Sequence, residues 1–142
     1  ISLPLPARVL YGAGVIEDAA QKIDHTLAPA APVPEAVSPA HGAYVAQACI
    51  GCHGPGLSGG RIPGAPPDWP AAANLTPGDG SAMAKYADAK SFVAMMRSGL
   101  RPDGSAVSTV MPFGALKAMN DVDLEAVFLH LKGLAPRASG SR

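Results

Sequence analysis

The sequence predicts an all-α domain with unusually long loops, preceded by a proline-rich arm. Three observations predict it. Three segments carry apolar residues at helical spacing behind a capping residue. No alternating run of Val, Ile and Thr reads as a strand. The chain also carries 16 Gly and 15 Pro in 142 residues, enough to fill long irregular connections.

Taken in order, residues 1–38 read as an arm or linker, with a short helix near Val15–Lys22. Residues 28–39, "APAAPVPEAVSP", hold prolines at 29, 32, 34 and 39 and favour a semi-rigid, extended spacer. The compact domain is expected over 39–135, with 136–142 as a flexible tail. Its first helix runs from Pro39 to Cys49. Ser38 is its cap, Pro39 suits its first turn, and Ala40, Tyr44, Val45 and Ala48 form its apolar face. Gly42 inside that helix costs about 1 kcal/mol against Ala, which makes sense where another helix crosses closely.

Residues 54–81 hold seven glycines and six prolines and read as one long loop, a length that signals function or something to wrap around. The second helix is expected over Asp88–Ser98. Asp88 caps it, Phe92, Met95 and Met96 line one face, and Gly99 stops it. The last helix starts behind Asn120. Asp121, Asp123 and Glu125 suit its positive end, and Leu124, Val127, Phe128 and Leu131 form its stripe, with Gly133 at its end.

Charge narrows the function. Lys plus Arg and Asp plus Glu both number 11, which argues against nucleic acid as a partner. Lys85, Lys90, Arg97 and Arg101 form the most basic stretch, read as a solvated face or as a rim that meets an acidic partner. No apolar run is long enough to span a membrane. The start at Ile1 suggests processing, so "ISLPLP" is compatible with a removed upstream signal or membrane tether. Aromatic residues make up only 5% of the chain, so a bound cofactor is one candidate to fill the core.

Both cysteines of the chain lie in "ACIGCHG", residues 48–54. Three chemistries use such a pair. A redox dithiol normally follows a strand in a βαβ unit, and no such pattern is present. A zinc site needs two further ligands, and His25, His41, His53 and His130 offer no H-x₃₋₅-H pair. Covalent haem attachment uses C-x-x-C-H as it stands. Two intervening residues let one helical turn bring both sulfurs to one edge of a porphyrin, and His53 then faces the iron. Of the five methionines, Met95 and Met96 read as helix core, Met119 as a staple ahead of a cap, and Met83 as part of a polar loop. Met111 lies in an irregular loop directly before Pro112, which stiffens it, and is the candidate sixth ligand. His41 and His25, both upstream of the attachment site, are the alternatives.

Together with "NLTP" (74–77), "DAKSFVAMMRSGLRPDG" (88–104) and "MPFGALKAMNDVDLEAVFLHLKGL" (111–134), the stretch "GAYVAQACIGCHG" (42–54) resembles class I c-type cytochromes, in particular bacterial periplasmic monohaem ones. The resemblance covers roughly residues 39–135. It implies a cytochrome c fold of three to five helices wrapped around one covalent haem c, with the first and last helices crossing near Gly42. It implies thioether links at Cys49 and Cys52, His53 as proximal ligand and Met111 as distal ligand. A carbonyl near Pro63 would accept the proximal imidazole N–H, and Asn74, Tyr86, Arg101 and Trp69 would neighbour the propionates. His130 stands where the family often has an aromatic. Expected pocket walls are Tyr44, Leu57, Ile62, Leu75, Phe92, Met96, Leu100, Leu116 and Leu131.

The function implied is one-electron transfer in a periplasmic or membrane-associated chain, without catalysis of its own. Donor and acceptor would be redox proteins such as a dehydrogenase, an oxidase or another cytochrome. Two alternatives stay open: a haem subunit docked to a dehydrogenase through residues 1–38, and a ligand-binding or catalytic haem protein.

Overall fold

The computed structural model describes residues 3–78 and 80–141. The chain divides into two compact units, one reaching to Pro32 and one beginning at Val33. The first holds α1 (Leu5–Gly12), which buries no residue, and a 3₁₀ turn over Ala19–Lys22 capped by Asp18. The helix of the arm thus lies upstream of the expected Val15–Lys22 segment. Gly14, at φ 72°, turns the chain after α1 and separates the two pieces.

The second unit is helical, and among the described residues it shows only isolated β-bridges and no strand. Its helices are α2 (Pro39–Val45), α3 (Ile50–His53), α4 (Ala89–Ser98), α5 (Phe113–Leu116) and α6 (Asp121–Gly133). The expected caps are present. Ser38 accepts from the His41 amide at 3.2 Å, Asp88 from Ser91 at 2.8 Å, and Asn120 from Asp123 at 2.7 Å. Gly99 ends α4 in the left-handed conformation at φ 74°, a position that favours glycine.

α6 is the centre of the unit, with α2 and α4 packed against it. The stripe Leu124, Val127, Phe128 and Leu131 is buried, as are Phe92, Met95 and Met96 from α4. Phe92 links the two layers, with its ring 5.6 Å from Tyr86 and 5.8 Å from Phe128. The crossing of α2 and α6 occurs at Gly42. A Cβ there would lie 1.9 Å from the Ala126 carbonyl oxygen and 2.8 Å from His130 Cβ. His41 adds a polar tie, with Nε2 2.7 Å from Asp123 in the first turn of α6.

That crossing corrects the expected apolar face of the first helix. Ala40, Tyr44 and Ala48 are exposed, while His41, Gly42 and Ala46 are buried. Gly42 meets the α6 backbone directly, with His41 beside it bonded to Asp123, while of the expected face only Val45 packs half-buried against the core. The helix also tightens to a 3₁₀ turn at Ala46–Cys49 before α3. Met83, read as part of a polar loop, is instead buried in a short 3₁₀ turn, and its carbonyl accepts from Lys132. Much of the basic stretch is engaged internally: Lys85 pairs with Asp103, Arg97 with Asp121, and Arg101 bonds Ser105 and the Ala106 carbonyl.

Candidate functional site

α2, the 3₁₀ turn and α3 run on as one right-handed path, which carries Cys49, Cys52 and His53 within two turns. Cys49 is half-buried and Cys52 exposed. Burial pushes the Cys49 thiol up, and neighbouring Cys52 adds to the effect. His53 Nδ1 lies 2.8 Å from the Ala73 carbonyl. A carbonyl only accepts, so Nδ1 carries the proton and Nε2 the lone pair.

Ala73, not the segment near Pro63, therefore supplies the acceptor. The reason lies in the turn after α3. Gly59 donates its amide to the His53 carbonyl at 2.8 Å and sits at φ 74°. A Cβ on Gly59 would stand 2.3 Å from the Ala72 oxygen and 2.5 Å from Ala73. The glycine lets the 72–73 backbone approach the imidazole directly, and paired bonds between Gly60 and Ala72, both 2.9 Å, hold it there.

Opposite α3, the segment 107–116 closes a slot made of two cavities of about 240 and about 360 Å³. Both cavities are lined by Cys49, His53, Arg101, Val107 and Met111. Met83, Met95 and Met96 reach the larger one alone, and Met119 reaches neither. Met111 is thus the methionine whose position is common to both. Its loop is held by the Met111 amide on the Ser108 carbonyl at 3.1 Å and the Phe113 amide on the Met111 carbonyl at 2.8 Å.

Other expected site residues divide. Tyr86 and Arg101 line the larger cavity, and the burial that raises the Tyr86 hydroxyl pKa is partly opposed by Arg101. Asn74 also reaches that cavity, but its amide is committed. Nδ2 donates to the Arg137 carbonyl at 2.8 Å, and Oδ1 accepts from Thr76. Trp69 is exposed and lines neither cavity. Ile62, Leu75, Phe92, Met96, Leu116 and Leu131 are walls as expected. Tyr44 and Leu100 face solvent, and Leu57 is buried away from both cavities. Sequence reasoning missed Val107, Val110 and Ala73. The first two carried a signal in their place just ahead of Met111; a backbone acceptor such as Ala73 carries none.

The donor set matches what a covalently held haem requires. Two thiols and an imidazole lie along one path, a thioether lines the slot with them, and the remaining walls are largely apolar. Among the described residues no group of three or more His, Cys, Asp or Glu side chains converges.

The chain is similar to the alcohol dehydrogenase (quinone) cytochrome c subunit of Gluconacetobacter polyoxogenes, with 31% identity over 104 residues, 68% of this chain and 22% of that protein. The same subunit from Komagataeibacter europaeus matches to the same extent. The chain spans about a fifth of the length of these curated relatives. No family model matches, and no solved structure matches. At a coarse level the similarity is to a cytochrome c subunit. Among the described residues no helix is long and apolar enough to cross a membrane.

Proposed function

We propose that this chain is a monohaem class I cytochrome c that relays single electrons. The observation that carries the reading is the slot whose two cavities share Cys49, His53 and Met111. Cys49 and Cys52 would form the thioether links, and His53 Nε2 and the Met111 sulfur would hold the iron. When bound, the haem would supply a one-electron couple between a donor and an acceptor protein.

The chain's own residues do the rest. Ala73 fixes the ring and tautomer of His53 and raises its basicity. Val107, Leu116, Phe92 and Leu131 exclude water from the slot. Pro112 stiffens the loop that presents Met111. Arg101 and Tyr86 offer a cation and a hydroxyl to the propionate end. The arm expected over residues 1–38 corresponds to the first compact unit, which ends at Pro32, and the setting is periplasmic, where the thiols can be joined to haem.

A second reading keeps this chemistry and fixes the partner: the chain acts as the haem subunit of a dehydrogenase. The similarity to cytochrome c subunits of quinone alcohol dehydrogenases favours it. Co-purification of a stoichiometric dehydrogenase complex is the expected result, and a monomeric shuttle refutes it.

The test of the main proposal is optical and potentiometric. The purified protein should carry haem that resists acid–acetone extraction. Met111→Ala should abolish the wild-type ligand-field signature and lower the midpoint potential, because a thioether ligand raises it. A protein without covalent haem, or a Met111→Ala variant with unchanged spectrum and potential, refutes the assignment.

A further inference from the structure

The segment after α6 reads as a loose tail in the sequence, yet it is bound across the loop that carries the His53 acceptor. The Arg137 amide donates to Thr76 Oγ1 at 3.0 Å, and the Arg137 carbonyl accepts from Asn74 Nδ2 at 2.8 Å. The Gly140 amide donates to the Ser58 carbonyl at 2.9 Å, and the Ser58 hydroxyl donates to the Ser141 carbonyl. Gly140 passes so close that a Cβ on Gly60 would lie 2.7 Å from its Cα.

The side chains it meets are buried. Ser58 and Thr76 are 0% exposed, and Asn74 is 6% exposed. Their polar groups need partners inside the protein, since an unsatisfied buried donor or acceptor costs free energy. The tail supplies those partners. Asn74 directly follows Ala73, whose carbonyl receives the His53 Nδ1–H. Ser58 directly precedes Gly59, whose amide bonds the His53 carbonyl and whose missing side chain admits Ala73. The tail therefore grips Asn74, which follows the imidazole's acceptor, and Ser58, which precedes the glycine that admits it, on the two segments joined by the antiparallel Gly60–Ala72 bridge.

We infer that residues 137–141 are a positioning strap that holds the Ala73 carbonyl on His53 and thereby tunes the iron ligand, an inference that rests on the haem reading above. A hydrogen bond weakens steeply with distance and angle, so a loosened Ala73 accepts less well. The imidazole then becomes a poorer donor and stabilises ferric iron less. Loss of the strap raises the midpoint potential.

The test compares the haem-loaded wild type with Thr76→Val, Thr76→Ser and a chain shortened after Pro136. Thr76→Val removes the hydroxyl that accepts from Arg137, together with that hydroxyl's own bond to Asn74 Oδ1, and keeps the shape; the shortened chain removes the tail and leaves the Thr76–Asn74 bond in place. Thr76→Ser keeps the hydroxyl and serves as the rescue. Thr76→Val also remains informative where the shortened chain does not fold. The two readouts are the midpoint potential and hydrogen exchange at the Gly60 and Ala72 amides. Thr76→Val and the shortened chain should change the ferric to ferrous ratio at fixed potential by about threefold, or roughly 28 mV upward at ~59 mV per decade. Removing a direct outer partner typically costs ~10- to 100-fold in metal affinity or activity, and the strap acts one step further out. Exchange at Gly60 and Ala72 should quicken, and Thr76→Ser should behave as wild type. An unchanged potential in a haem-loaded variant, with or without faster exchange, overturns the strap and leaves the haem proposal standing. Wild type isolated without covalent haem instead removes the haem proposal, and the strap's role with it.

Discussion

Gly42→Ala tests the helix crossing on which the slot is built. In an exposed helix this change stabilises, by about 1 kcal/mol, because Ala has the better propensity. Here the new Cβ would stand 1.9 Å from the Ala126 carbonyl oxygen, 2.5 Å from its carbon and 2.8 Å from His130 Cβ. Two of those three atoms are backbone of α6 and cannot rotate away. α2 and α6 must separate, which opens contacts around Ala46 and Val127, both nearly fully buried. Overpacking costs about 1–3 kcal/mol and occasionally more, and a backbone clash belongs to the upper part of that range. After the propensity gain, a net loss of about 1–2 kcal/mol remains. For a domain of this size that lowers the melting temperature by roughly 5–10 °C. Thermal unfolding followed by far-UV circular dichroism measures it. Gly133→Ala is the control, because nothing lies within 4 Å of the Cβ it adds. If Gly42→Ala melts at or above the wild-type temperature, α2 and α6 do not cross at this point.

Three further outcomes are expected. The Asp88 carboxyl is held below the ordinary range by hydrogen bonds from the Ser91 backbone and side chain, so its stabilisation of α4 is present above the unfolded carboxylate pKa and is lost as pH falls through the folded one. Denaturant titrations between pH 5 and pH 3 should show a shallower loss for Asp88→Asn than for wild type. In haem-free protein near pH 8, Cys52 should alkylate faster than Cys49, whose thiol is pushed up by burial, as read by mass-mapped iodoacetamide labelling; equal rates contradict the half-buried placement of Cys49. Asn120→Ala removes the cap on the Asp123 amide and should cost about 0.5–2 kcal/mol in chemical denaturation.

Much of the fold was legible because its signals are local. A cap is one side chain and an amide three residues away, so Ser38, Asp88 and Asn120 could be assigned without knowing what they pack against. The stripe on α6 and the apolar face of α4 repeat at the helical period and point to a core whatever the partner. The first helix was harder. Its buried side depends on what crosses it, and a glycine against a backbone outweighed the larger Tyr44.

The candidate site divides in the same way. The sequence by itself determined the thiol–thiol–imidazole run, because its chemistry is written in five consecutive residues. It also pointed to Met111, through the proline behind it. Tertiary structure alone decided that Met111 lines both cavities together with His53, and that Ala73 accepts the imidazole proton. It also decided that Asn74 is spent on Arg137, and that the last residues are tied down. The physical reason is common to the last three. Backbone carbonyls and amides are present at nearly every position, so no residue type marks the one that a fold will use. Which of them meets His53, or the tail, depends on how closely two distant segments approach, and that is set by glycines such as Gly59 and by the burial of Ser58, Asn74 and Thr76.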